Sequence, residues 1–88
     1  MRIKDGFILQ KVGSSYLAVA VGDRADSFKA MIRLNDTGAF LWGLLAEGKS
    51  RDEAVELFSQ EYGISEELAG RDFDQFIDKL AEGGLLDV

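Results

Sequence analysis

The feature that most constrains this chain is a change of hydrophobic period at a single residue. Up to Leu34 the stretch "SFKAMIRL" alternates, with Phe28, Ala30, Ile32 and Leu34 on one side and Lys29, Met31 and Arg33 on the other. That is the period of a strand with one buried face. From Asn35 onward, Phe40, Leu41, Leu44 and Leu45 recur at the spacing of an amphipathic helix. A chain that changes period once, from two to 3.6, is expected to fold as a sheet followed by helices.

Upstream of the change, "FILQKV" and "YLAVAV" are apolar and β-prone, and the "GSS" between them supplies turn chemistry of hairpin length. An antiparallel hairpin is therefore predicted, with "GDRAD" as the turn into the alternating strand. Downstream, Asn35 is a favourable helix N-cap and Asp36 complements the helix dipole, while Gly48 supplies the stop. "SRDE" matches a capping box, opening a second helix that places Ala54, Val55, Phe58 and Tyr62 on one face before Gly63. Ser65 caps the last and longest helix, with Ala69, Phe73, Phe76, Ile77 and Leu80 as its stripe and Gly83 and Gly84 at its end.

The expected architecture is α+β and winged-helix-like: a three-stranded antiparallel sheet followed by three helices, in one domain over residues 1–88. Gly38 and Gly43 lie inside the first helix, where each costs about 1 kcal/mol relative to Ala. Close approach of that helix to the sheet is the expected compensation. Trp42 falls off the apolar stripe, which suits either the core edge or a partner-facing surface.

Composition narrows the chemistry. The chain has no His and no Cys, which removes the commonest transition-metal ligands, thiol chemistry and imidazole catalysis. No D-x-D-x-D-G calcium loop is present. With no nucleophile, phosphate loop or His to accompany the carboxylates, neither an enzyme nor a cofactor is expected. No apolar run approaches the roughly 20 residues of a membrane helix, and "MRIKDGFIL" is charged too soon for a secretory signal, so the expected compartment is the cytoplasm.

The net charge of −6 is unevenly spread: residues 1–34 carry six Lys/Arg against three Asp/Glu, and residues 35–88 carry four against 13. A winged helix that reads DNA needs a basic recognition helix, because phosphate neutralisation supplies most of the affinity. The last helix holds six acidic residues against Arg71 and Lys79. Nucleic-acid binding through it is not expected, which leaves a protein-interaction role for such a fold.

"ADSFKAM" resembles the phosphopantetheine site of acyl carrier proteins, and a small acidic chain suits that class. In carrier proteins, however, the serine opens a helix after a long first helix, whereas Ser27 follows a predicted hairpin and precedes a predicted strand. A turn serine is the expected reading, with a carrier-type protein modified at Ser27 as the alternative. Asp72, Asp74 and Asp78 fit the solvated side of an amphipathic helix better than paired catalytic carboxylates.

The strand over residues 28–34 carries the remaining signal. If the strands pair in chain order it is a sheet edge, able to accept another strand. Lys29 and Arg33 could discourage nonspecific pairing or attract an acidic peptide, and Met31 between them offers an adaptable apolar contact. The residues alone leave both readings open.

The segment "MIRLNDTGAFLWGLL", a strand followed by Asn-x-Thr-Gly and Phe-Leu-Trp, together with "GISEELAGRDFDQFIDKLAEGGLL", resembles the PqqD-like family of recognition elements for ribosomally made peptide natural products. The Asn-x-Thr-Gly-Ala-Phe-Leu-Trp stretch carries most of that likeness. The resemblance implies a non-catalytic protein that holds the leader of a precursor peptide for a modifying enzyme or leader protease. It implies that the leader adds to the third strand, with its apolar side chains between that strand and the third helix. On this sequence the implied peptide-binding residues are Phe28, Lys29, Ala30, Met31, Ile32 and Arg33 on the strand. The helix would contribute Asp72, Phe73, Phe76, Ile77 and Lys79, and Asp74 beside Asp72 is a further candidate for polar contacts.

Overall fold

A computed structural model describes residues 2–22 and 32–87 of the chain. The elements in order are β1 (Arg2–Ile3), β2 (Phe7–Val12), β3 (Ser15–Ala20), β4 (Ile32–Leu34), α1 (Asp36–Ala46), α2 (Arg51–Tyr62), α3 (Glu66–Glu82) and β5 (Leu86–Asp87). Strands β2, β3 and β4 form an antiparallel sheet in chain order, which leaves β4 at one edge. The three-stranded sheet followed by three helices is the predicted architecture.

Each local signal has its structural counterpart. The β2–β3 register pairs Val12 with Ser15, so the turn is Gly13 and Ser14, and Gly13 takes the positive φ of 62° that such a tight turn requires. The third serine-turn residue predicted, Ser15, instead begins β3. Asn35 caps α1 by accepting from the Gly38 amide at 2.8 Å. Ser50 and Glu53 form the reciprocal capping box of α2, and Gly63 ends that helix in the left-handed conformation. Ser65 caps α3 through the Leu68 amide.

Helix α1 packs its buried side chains Leu41, Trp42, Leu44 and Leu45 into the core. Trp42 is thus a core residue, only 6% exposed, so its place off the predicted stripe does not put it at a partner surface. Phe40, on the predicted apolar stripe, packs its ring against Phe58 and Tyr62 of α2. Phe58, Phe73, Leu41, Leu80 and Leu85 are the largest fully buried side chains, and among the described residues no polar or charged residue is buried.

Beyond the expected elements, β1 pairs antiparallel with β5, Ile3 opposite Leu86. The Lys4 amide donates to the Leu85 carbonyl at 2.8 Å. This small second sheet joins the two ends of the described chain and seats Leu85 in the core.

Candidate functional site

The site is built around the edge strand. On β4, Ile32 and Leu34 turn inward and are buried while Arg33 is exposed, the alternation that a sheet covered on one face imposes. Pairing of Tyr16 with Leu34 and Ala18 with Ile32 satisfies one side of β4. No strand covers its other side among the described residues.

Helix α3 runs beside β4. A Cβ built at Gly83, just past the end of α3, would fall 2.5 Å from Ile32 Cδ1, so the helix end lies close against the Ile32 side chain of β4. A little earlier on the helix, the Lys79 ammonium donates to the Arg33 carbonyl at 2.9 Å. Lys79 therefore occupies a main-chain acceptor of the edge strand.

Two adjoining clefts lie along this seam. The first, about 470 Å³, is walled by Ser14 and Ser15 of the hairpin, Arg33 and Leu34 of β4, the start of α1 at Asn35 and Gly38, and Phe76 and Lys79 of α3. The second, about 320 Å³, continues past Lys79 between Thr37, Gly38 and Leu41 of α1 and Asp72, Gln75 and Phe76 of α3. Asp72, Gln75, Phe76 and Lys79 recur at i, i+3, i+4 and i+7, so one flank of α3 forms the wall.

Of the candidate residues implied at the outset, Arg33, Asp72, Phe76 and Lys79 come together at these clefts. Ile32 is buried on the inner side of β4 and supports it. Phe73 is 0% exposed and belongs to the core, and Ile77 is half-buried against that core; neither lines the clefts. Phe28, Lys29, Ala30 and Met31 lie outside the described residues, as does Ser27.

Asp74 points elsewhere. Arg51 of α2 grips it with two hydrogen bonds, Nε to Oδ1 at 3.0 Å and Nη2 to Oδ2 at 2.9 Å. Those bonds hold the Asp74 carboxyl below the usual carboxylate range and raise the Arg51 guanidinium. Glu53 is likewise lowered, by its hydrogen bonds with the Ser50 backbone and side chain. Asp74 thus ties α2 to α3 and is removed from the groove.

Sequence reasoning missed Ser14, Ser15, Asn35, Thr37, Gly38, Leu41 and Gln75. The start of α1, which the sequence marks only as a helix cap and the beginning of an apolar stripe, also forms a cleft wall. A signal was present: in an antiparallel sheet the β2–β3 turn lies at the same end as the close of β4, which brings Ser14 and Ser15 beside Asn35.

Among the described residues no group of three or more acidic side chains gathers to hold a metal, and no helix is long and apolar enough to cross a membrane. The described part of the chain before Ser27 is strand and turn rather than the long helix of a carrier protein.

A small sheet with an open edge, flanked by a helix across a two-part cleft, defines a winged-helix-like module suited to strand addition. The family described as coenzyme PQQ synthesis protein D (PqqD) matches residues 15–86, and the chain belongs to that family. No curated protein matches it by sequence. Among solved structures it is similar to TbiB1 in complex with the TbiA(beta) leader peptide, with 25% identity over 99% of this chain and 95% of that one and a TM-score of 0.81. It is also similar in fold to a lasso peptide synthetase B1 complexed with the leader peptide, with 21% identity over 96% and 93% of the two chains and a TM-score of 0.78.

Proposed function

We propose that this protein is a non-catalytic adaptor that binds the leader segment of a ribosomally synthesised precursor peptide and delivers it to a tailoring enzyme or leader protease. The observation that carries the reading is the open edge of β4 beside α3, with its clefts, in a fold similar to a chain solved with a leader peptide bound. The leader adds as a strand to β4 and continues along Phe28, Lys29, Ala30 and Met31. Main-chain hydrogen bonds set its register, and alternate side chains enter the clefts beside Arg33, Phe76, Lys79 and Asp72. Ile32, Phe73 and Ile77 support the strand and the helix from within.

Residues 1–88 act as one peptide-recognition domain, in the cytoplasm, where ribosomal precursors are made. A disordered leader loses conformational entropy when it binds. The expected affinity is therefore micromolar to nanomolar, roughly −8 to −12 kcal/mol.

Amide NMR of the labelled protein, titrated with N-terminal segments of short peptides encoded beside its gene, tests the proposal. Saturable shifts are expected on residues 28–34 and on the Asp72, Gln75, Phe76 and Lys79 flank of α3. Shifts confined to another surface, or none with any such peptide, would sink it.

A further inference from the structure

The first cleft has a charge that the rest of the protein does not prepare for. The chain carries a net charge of −6, and most of its acidic residues follow Leu34. Yet this cleft presents two cations, Arg33 and Lys79, beside the hydroxyls of Ser14 and Ser15, with no carboxylate in its described lining. Among the described residues neither cation forms an ion pair. Lys79 spends its hydrogen bond on a neutral backbone carbonyl, a weaker partner for an ammonium than a carboxylate.

We infer that this cleft is a carboxylate subsite: it receives an Asp or Glu side chain of the peptide strand that adds to β4. The inference rests on the leader-binding reading and deepens it. As the strand arrives, the Lys79 ammonium leaves the Arg33 carbonyl for the peptide carboxylate, and the freed carbonyl accepts a peptide N–H. In the free protein Lys79 covers an edge acceptor and so discourages pairing with an unselected strand.

The polarity is directional. The second cleft shares Lys79 with the first but adds the Asp72 carboxylate, whose charge disfavours a second carboxylate there. An acidic residue is thus accepted at one register and rejected at its neighbour, which makes the charge a reader of register as well as of identity.

Selection of a displayed library of short random peptides on the full chain tests this, run in parallel on wild type, K79M, K79R and R33Q. Wild type is expected to enrich peptides with Asp or Glu at one fixed position of a β-prone motif. K79M should keep the apolar part of the motif and lose the acidic preference, and K79R should restore it, with R33Q intermediate. For one enriched peptide, replacing its acidic residue by the amide should weaken binding about fivefold on wild type and hardly at all on K79M.

Enriched peptides without an acidic position, or an acidic preference unchanged in K79M, would overturn the subsite and leave leader binding standing. If no peptide is enriched on any version, the leader-binding reading falls and the subsite with it.

Discussion

Gly38 and Gly43 share α1 but meet opposite surroundings. A Cβ at Gly38 would lie 3.1 Å from Leu34 Cβ, at the junction where β4 turns into α1, whereas a Cβ at Gly43 would meet nothing within 4 Å. Close approach to the sheet therefore accounts for Gly38 and not for Gly43, and nothing in the structure explains the second glycine. Gly43→Ala is expected to raise stability by about 0.5–1 kcal/mol through helix propensity and a less flexible unfolded chain. Gly38→Ala should lose about 1–3 kcal/mol to overpacking against Leu34. Urea unfolding of both variants checks this, and similar effects at the two positions would refute the packing argument. Phe73 and Phe76 teach the same lesson: both stand on the predicted stripe, but Phe73 is 0% exposed while Phe76, at 8%, also faces both clefts. Stripe membership says that a residue turns inward, and only its neighbours say whether it meets core or groove.

Among the elements, α2 is the brace behind the groove. Its start is fixed by the Ser50–Glu53 capping box, and its first residue, Arg51, crosses to Asp74 on α3. Phe58 and Tyr62, edge-on at 5.2 Å, hold its far end against Phe40 of α1. Glu53 and Asp74 both have folded-state pKa values below their ordinary ones. Their contributions are therefore fully present above the unfolded carboxylate range, about 3.9–4.3, and are lost as pH falls through the lowered folded values. Stability is expected to decline in acid from about pH 5 downward, with Asp74→Asn flattening part of that decline. Both groups are solvent-exposed, so the effect is modest and weakens with salt. Ser50→Ala should cost about 1 kcal/mol at neutral pH and also reduce the acid dependence. Chemical denaturation across pH 3–7 makes the comparison, and an unchanged acid slope in both variants would dismiss the assignment.

For the molecule as a whole, the pairing of β1 with β5 determines how far cooperativity extends. Leu85 is 0% exposed and its carbonyl accepts from the Lys4 amide, so the β1–β5 pair is tied to the core through Leu85. Leu85→Ala should cost about 2–5 kcal/mol. The Lys4 amide should exchange with solvent only through global unfolding, as measured by native-state hydrogen exchange. Fast exchange of Lys4 together with a small loss in Leu85→Ala would show instead that the terminal pair frays independently.

The sequence by itself determined the order of the three main strands and three helices, the helix caps and stops, the sheet-then-helices class and the PqqD-like resemblance, because those signals are local: a period, an N-cap, a capping box, a short motif. Pairing in chain order was only a condition of reading residues 28–34 as an edge, and it is the tertiary structure that makes β4 one. Only the tertiary structure decided which flank of α3 lines the clefts, that Asp74 turns to Arg51, that Lys79 reaches the Arg33 carbonyl, and that Ile3 pairs with Leu86. Each of these is a contact between residues far apart in the chain. An amphipathic helix has two flanks beside its apolar stripe that local spacing cannot tell apart. Packing between elements chooses one, and in this protein the Lys79 ammonium on the Arg33 carbonyl marks the flank that faces β4.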